Sequence, residues 1–349
     1  MFFVGTLGHG GAERVISILS SRMAEQGMDV EVLTYYDRPA FYEIHPKVKI
    51  TAVEKCTGKS NKIANLLWIR KYFKKNAKIV LSFLAPFNMM AITAKLGTKV
   101  PVIVADRNDP TKVPTNRIVR KMRDVLYMFA DEVVLQTEKN KSYFNAVIQR
   151  KASVIYNPVN MKEYTGAALG CEKEKTIVTA GRLMCQKNQV MMLEAFSKLL
   201  EVFPEYQLII YGEGPYREKL EETVHKLDIE KNVLMPGSVS DLYDKIKCAE
   251  LFALSSDYEG MPNALIEAMC LGMAVISTKV SGATDLIKHE ENGLLVDVGD
   301  TDGFTAAMIE LLSDKKKRDK LAASAAKLSE GLLPERILEQ WKDIIRRHI

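Results

Sequence analysis

Cysteine is scarce and scattered in this chain of 349 residues: Cys56, Cys171, Cys185, Cys248 and Cys270 form no CxxC pair and no Cys/His group at zinc-ligand spacing. An odd, dispersed set argues against a disulfide framework and for a reducing compartment. The five histidines form no HxxxH pair, which removes the helical zinc signature. No GxxxxGK[ST] occurs, so a phosphate-loop ATPase is excluded. Long apolar runs are missing too. The most apolar stretch, Ile79 to Thr93, carries Ser82, Pro86 and Asn88 and falls short of the ~18–20 residues a helix needs to cross a bilayer. Met1-Phe2-Phe3-Val4 runs into glycines without a basic leader, so no signal peptide is expected and the chain reads as cytosolic.

Acidic residues are absent over one long stretch. Between Glu54 and Asp106 there is none, against ten Lys and Arg. The formal net charge of +5 therefore hides an asymmetry. Residues 1–170 hold 26 basic and 14 acidic side chains, a net of +12, whereas residues 171–349 hold 23 and 30, a net of −7. A basic half joined to an acidic half points to two domains facing different partners. The length agrees, because a single core rarely grows beyond ~250–300 residues.

What is present is a repeated strand–loop–helix pattern. Short apolar strands are expected at Phe2–Gly5, Val30–Thr34, Val48–Ala52, Ile79–Phe83, Val102–Ala105, Glu132–Gln136 and Val154–Tyr156. The pattern fades through Met161–Lys173 and restarts at Thr176–Ala180. Further strands follow at Gln207–Tyr211, Asn232–Met235, Leu251–Ser255, Ala274–Thr278 and Gly293–Val296. Such alternation implies parallel sheets covered on both faces. The expected class is α/β, with two doubly wound Rossmann-like domains at 1–158 and 172–330. A separate amphipathic helix is expected at 335–349, carrying Ile337, Leu338, Trp341, Ile344 and Ile345.

Four loops at expected strand C-terminal ends carry the candidate chemistry. Open α/β sheets bind ligands at that edge, and two such sheets facing one cleft would oppose the first loop to the other three. The first loop, Gly5-Thr6-Leu7-Gly8-His9-Gly10-Gly11-Ala12-Glu13, lets backbone approach a phosphate at a helix start. A dinucleotide fingerprint needs a third glycine where Glu13 stands, so an NAD site with Asp37 on the ribose is a weaker reading, and a plain turn is another. The second, Gly181-Arg182-Leu183-Met184-Cys185-Gln186-Lys187-Asn188, crowds two cations at a helix start. The helix dipole disfavours cations there, which suggests an external anion such as a diphosphate; solvated surface cations are the alternative. The third, Tyr211-Gly212-Glu213-Gly214-Pro215, has low specificity and reads equally well as a turn.

The fourth loop runs from Ser255 to Met269 and carries Glu259 and Glu267, with seven residues between them. Ala264, Ile266 and Ala268 leave Glu267 in apolar company, where a carboxylate is costly unless hydrogen-bonded. Sugar or ribose hydroxyls are suitable partners, and so is a Lys or Arg from elsewhere. Backbone amides between Gly260 and Asn263 are expected to point out of the helix start, towards sugar oxygens or phosphate. The single DxD triplet, Asp300-Thr301-Asp302, is better explained by helix capping than by metal.

These residues together resemble the retaining GT-B glycosyltransferases of family 4, in particular those building bacterial capsule, exopolysaccharide and lipid-linked glycans. The resemblance rests on Gly10-Gly11-Ala12-Glu13-Arg14-Val15, Arg107-Asn108-Asp109-Pro110, Gly181-Arg182 with Gln186-Lys187-Asn188, Gly212-Glu213-Gly214-Pro215 and the Glu259/Glu267 pair. Ser281-Gly282 and Asn292-Gly293-Leu294 also match. It implies that the second domain holds a nucleoside diphosphate sugar, with UDP as the expected nucleotide. Arg182 and Lys187 would bind the diphosphate and Glu267 the ribose. Glu259 and the amides of Gly260, Met261, Asn263 and Ala264 would address sugar and phosphate. Gly10 and Gly11 would close from the first domain, to which the last helix would return. Gly212 and Glu213 fall on the matched donor loop. Many relatives carry a histidine where this chain has Asp106 and Arg107, which stand as the candidates for its catalytic place.

The implied reaction is metal-independent sugar transfer with retention, Arg182 and Lys187 stabilising the leaving diphosphate. A UDP-sugar 2-epimerase of the same fold and a non-catalytic sugar-nucleotide-binding subunit are the rival readings. For partners, Asn61–Lys78 reads as a helix whose Ile63, Leu66, Leu67 and Phe73 face the core. Trp68 and Tyr72 would share another side with Arg70, Lys71, Lys74 and Lys75, joined by Arg117, Arg120, Lys121 and Arg123. Aromatic rings among cations suit an anionic leaflet. The expectation is a peripheral protein on the cytoplasmic face of the membrane, serving a polyprenyl-diphosphate-linked acceptor; an ordinary solvated helix is the alternative.

Overall fold

The computed structural model describes residues 1–8, 10–58, 61–159, 164–239 and 241–349. The chain divides into two compact units, Met1–Asn160 with Leu332–Ile349, and Met161–Gly331. The sequence-based boundary at 158–172 falls partly on residues 160–163, outside the described residues.

The first unit is built on a seven-stranded parallel sheet in the order β3-β2-β1-β4-β5-β6-β7. Its strands are β1 (Phe2–Val4), β2 (Glu31–Thr34), β3 (Lys49–Ala52), β4 (Val80–Phe83), β5 (Val102–Ala105), β6 (Glu132–Leu135) and β7 (Ala152–Val154). The central strands β4, β5 and β6 are buried along their whole length, which is why they read as unbroken apolar runs rather than alternating ones. Connecting helices are α1 (Gly11–Glu25), α2 (Val53–Thr57), α3 (Lys62–Asn76), α4 (Ala85–Lys95), α5 (Arg117–Tyr127), α6 (Glu138–Tyr143) and α7 (Ala146–Gln149). Asn61 and Asn116 cap α3 and α5 by accepting from backbone N–H groups one turn in, the usual N-cap chemistry.

The second unit carries a six-stranded parallel sheet, β10-β9-β8-β11-β12-β13. The strands are β8 (Glu174–Ala180), β9 (Gln207–Tyr211), β10 (Val233–Gly237), β11 (Ala249–Leu254), β12 (Ala274–Thr278) and β13 (Leu294–Val296). Its helices are α8 (Gln189–Leu200), α9 (Arg217–Lys226), α10 (Leu242–Ile246), α11 (Asn263–Leu271), α12 (Ser281–Leu286), α13 (Thr301–Ser313) and α14 (Lys315–Ala326). Asp300 caps α13, accepting from Gly303 N–H at 2.9 Å, so the DxD triplet does helix-capping chemistry here.

After α15 (Ser329–Leu332), α16 (Pro334–His348) belongs to the first unit. Its Ile337, Leu338, Trp341, Ile344 and Ile345 enter the same core as β1, β4 and α1. Trp341 stacks on Phe83 at 5.6 Å between ring centroids.

One sequence expectation needs correcting. Cys171 and Cys248 form a disulfide, with Cα atoms 5.3 Å apart. They sit 77 residues apart in sequence but precede β8 and β11, which are neighbours in the sheet; spacing along the chain could not reveal this.

Candidate functional site

In the second unit the strand order reverses at β8 and β11, the switch point where an open sheet leaves a crevice outside its strand ends. The loops leaving these strands are Gly181–Asn188 and Ser255–Pro262, so two motifs more than 70 residues apart in sequence become adjacent. They are laced together. Asp257 N–H donates to the Gln186 carbonyl at 2.8 Å, Asn188 Nδ2 to Asp257 Oδ1 at 2.8 Å, and Ser255 Oγ to the Lys187 carbonyl at 2.9 Å. Asn188 adopts φ 44° and its side chain caps α8, a conformation asparagine tolerates better than most residues.

The charged centre of this lacing is Lys187 Nζ on Glu259 Oε1 at 2.5 Å. Ser256 Oγ donates to the same oxygen at 2.7 Å, and Gln186 Nε2 reaches Glu259 Oε2 at 3.3 Å. The Glu259 side chain is 8% exposed and that of Lys187 18%. A carboxylate buried this far needs such donors. The Lys187 stem lies along Gly181, whose backbone has φ 156°. Arg182 is exposed on the same loop, its carbonyl held by Gln189 Nε2 at 3.2 Å. Gln186 and Ser256, which hold Glu259, carry no distinctive spacing of their own and were not singled out from sequence as its partners.

The third loop leaves β9 and packs on the first by backbone. A Cβ on Gly212 would lie 1.9 Å from the Gly181 carbonyl oxygen, and one on Gly214 2.1 Å from that of Leu183. Both positions therefore require glycine for loop-on-loop contact. The Glu213 carboxylate is engaged by Arg217 at 2.6 Å on the exposed side. Gly260 and Met261 are buried before α11, with Asn263 and Ala264 half-exposed in its first turn and Glu267 buried in its second. Gly282 abuts this segment: a Cβ there would sit 2.6 Å from the Gly260 carbonyl oxygen. The Ser281-Gly282 motif thus lets α12 approach the start of α11.

In the first unit, Gly10 precedes and Gly11 opens α1; His9 lies outside the described residues. A Cβ on Gly10 would meet the Glu13 carboxylate at 2.1 Å. The two candidates for the histidine's place are interior. Asp106 is 1% exposed and accepts from Tyr127 OH at 3.1 Å, with Arg123 at 3.7 Å. Burial raises its pKa, opposed by Arg123 and Tyr127. Arg107 lies over the rings of Phe83 and Trp341, at 5.0 and 5.5 Å, and donates from Nη1 to Asn157 Oδ1 at 3.0 Å. Burial pushes its guanidinium down to about 9, with Asp106 opposing, so it stays cationic at neutral pH. These contacts give Asp106 a structural place, bracing the loop after β5.

The chain matches the family described as glycosyl transferases group 1 over residues 164–328 and Glycosyltransferase Family 4 over residues 9–163. A Campylobacter jejuni protein is 30% identical over 99% of this chain and 97% of its own length. Its name is GalNAc-alpha-(1->4)-GalNAc-alpha-(1->3)-diNAcBac-PP-undecaprenol alpha-1,4-N-acetyl-D-galactosaminyltransferase. A second from the same organism, N-acetylgalactosamine-N,N'-diacetylbacillosaminyl-diphospho-undecaprenol 4-alpha-N-acetylgalactosaminyltransferase, is 28% identical over 90% of each chain. The chain belongs to the GT-B glycosyltransferases. Its fold is shared with Anabaena HepE, solved with UDP and glucose, at TM-score 0.85 and 17% identity over 99% and 98% of the two chains.

For this glycosyltransferase the expected basic face is partly inverted. Trp68 and Tyr72 stack on each other at 4.6 Å and pack against the core, with Tyr72 OH donating to Glu31 at 2.6 Å. Ile63 and Leu67, expected inside, are 72% and 61% exposed. Arg123 is fully buried, donating to the carbonyls of Val113 and Pro110 at 2.5 and 2.9 Å. Among the described residues no helix is long and apolar enough to cross a membrane, and no group of three or more His, Cys, Asp or Glu is placed to hold a metal.

Proposed function

We propose that this glycosyltransferase moves a sugar from a UDP-sugar to a hydroxyl of a lipid-linked glycan, with retention at the anomeric carbon and without a metal ion. The observation that carries the donor reading is the juxtaposition of Lys187 and Glu259 at the switch point of the second sheet. The bond from the anomeric carbon to the diphosphate oxygen breaks, and negative charge gathers on the departing phosphate. Lys187 and the exposed Arg182 supply cations to it, in a half-buried setting where such charges act more strongly than in water. Glu267 accepts from the ribose hydroxyls, and the backbone amides of Gly260, Met261, Asn263 and Ala264 at the start of α11 receive oxygens of phosphate or sugar. The acceptor hydroxyl adds to the anomeric carbon from the face the diphosphate leaves, and its proton passes to the departing phosphate oxygen.

The acceptor class is supported by the names of the two Campylobacter relatives, both of which specify undecaprenol-linked glycans. The UDP assignment is supported by the HepE complex. In this reading the reaction runs at the cytoplasmic leaflet, and the basic excess of residues 1–170, which anionic lipid would attract, supports it. The test is mass spectrometry of products from purified protein, a panel of UDP-, GDP- and ADP-sugars, and a polyprenyl-diphosphate-linked glycan. One added sugar in α-linkage, made only with acceptor present, is expected. Donor turnover that ignores the acceptor would point instead to hydrolysis or epimerisation, and donor binding without turnover to a non-catalytic subunit.

A further inference from the structure

Helices α3, α4 and α5 pack side by side over one face of the first sheet, α3 against α4 and α4 against α5. Their inward residues, Ile69, Phe73, Ala91, Ile92 and Tyr127, share one core. The outward face of α5 is unusual. Ile118, Met122 and Val125, with Phe129 in the following turn, are 71%, 53%, 52% and 54% exposed. Their spacing of four, three and four residues puts all four on a single stripe. On α3, next but one in the row, Ile63 and Leu67 are exposed as well. Scattered surface hydrophobics need no explanation, but an aligned stripe of this size marks a surface that is covered in use.

The charges around the stripe select the cover. Arg117 and Lys121 on α5 and Lys71 and Lys74 on α3 are exposed. The one acid within α5, Asp124, is engaged by Arg123 at 2.7 Å and by Tyr143 OH at 3.1 Å. A second copy docked stripe to stripe would set these cations against their own images, since a two-fold contact uses the same patch twice. A bilayer with anionic headgroups resolves both features, because apolar side chains enter the acyl boundary while long cationic stems reach phosphates.

We infer that α5 is an interfacial membrane helix, lying in the plane of an anionic leaflet with Ile118, Met122, Val125 and Phe129 inserted. This deepens the proposal of a lipid-linked acceptor and rests on it only for the choice of membrane; the attachment itself is tested without turnover. Insertion differs from adsorption of a basic surface in its response to salt. Adsorption is screened away, whereas burial of the stripe leaves a salt-resistant part.

Sedimentation with phosphatidylcholine vesicles, alone or with phosphatidylglycerol, decides it. Wild-type protein should pellet with the anionic vesicles and retain part of that binding at high salt. The variant Ile118→Ser/Met122→Ser/Val125→Ser/Phe129→Ser should lose partitioning by on the order of a hundredfold, given four partly exposed apolar side chains. Arg117→Ser/Lys121→Ser should lose about tenfold, and only at low salt. Because the stripe is exposed, the quadruple variant should keep its circular dichroism and its UDP affinity by calorimetry. Equal pelleting of wild type and the quadruple variant would overturn the inference, as would no pelleting of wild type. A wild-type dimer in buffer that the quadruple variant abolishes would assign the stripe to a second copy instead. If UDP fails to bind while the vesicle result holds, the donor reading fails and the membrane helix stands.

Discussion

Lys187→Met removes the ammonium and keeps most of the apolar stem, so it separates two roles that the structure superimposes on one side chain. The first is structural. Breaking a buried ion pair by deleting one partner costs about 3–5 kcal/mol when the other charge is stranded. Glu259 would not be stranded, since Ser256 Oγ at 2.7 Å and Gln186 Nε2 at 3.3 Å still donate to it. With Lys187 itself 18% exposed, the expected loss falls to about 1–2 kcal/mol. The second role is donor binding. A charge-assisted contact to phosphate is worth about 1.5–3 kcal/mol, which is roughly a ten- to hundredfold loss of UDP affinity. Turnover should fall further, by about two to three decades, because the charge is largest on the departing diphosphate.

The double variant Lys187→Met/Glu259→Gln separates these effects. Neutralising the carboxylate removes the buried charge that has lost its cation, so most of the melting temperature should return while UDP affinity stays low. Scanning calorimetry reads the first quantity and titration calorimetry with UDP the second. If UDP affinity is unchanged in the single variant, or returns in the double variant together with stability, then Lys187 serves only to hold Glu259, and the donor assignment is wrong.

Gly212→Ala should lower the melting temperature and weaken UDP binding together, because its Cβ has no room beside the Gly181 carbonyl and φ is 135°; a wild-type melting curve would refute the packing role. Trp341→Ala should cost about 3–5 kcal/mol in urea denaturation, since the ring is fully buried against Phe83 in the first unit's core; a loss near zero would show that α16 does not depend on that contact. Sugar transfer should persist in excess EDTA, and its abolition with recovery on Mg²⁺ or Mn²⁺ would overturn the metal-free mechanism. Burial, reinforced by Glu267, pushes the Cys270 thiol up to about 12, so iodoacetamide at mildly alkaline pH should label the exposed Cys56 and Cys185 first; equal rates would contradict the burial of α11.

Most strands were legible as buried runs bounded by glycine or polar loops, while the edge strands β3, β7 and β10 are only partly buried; the two sheets follow from the alternation of strands with helices. Strand ends moved by a residue or two, as at Val30–Thr34 against the observed Glu31–Thr34. The donor loops were legible as separate motifs, since glycines and cations at strand ends have few other uses. Their adjacency was not. Lys187 and Glu259 meet because β8 and β11 pair, and pairing between strands separated by β9 and β10 is a tertiary fact. The Cys171–Cys248 bond follows from the same pairing at the opposite ends of those two strands.

The phase of α3 shows a different limit. A helix with apolar residues at Ile63, Leu66, Leu67, Trp68, Ile69, Tyr72 and Phe73 has apolar side chains nearly all round, so periodicity alone permits more than one inward face. The choice is settled by partners outside the helix. Glu31 on β2 and Thr51 on β3 offer Tyr72 OH hydrogen-bond partners at 2.6 and 3.4 Å. Trp68 gains a stacking partner by turning the same way. Two large rings, one with a satisfied hydroxyl, gain more from burial than Ile63 and Leu67 lose by exposure. The displaced aliphatic pair is left exposed on the outer side of α3. Helix α5 has no such ambiguity, because Arg123 and Tyr127 fix its inward side through carbonyls and Asp106. Its apolar stripe is therefore outward by necessity, and the surface it presents follows from the polar contacts beneath it.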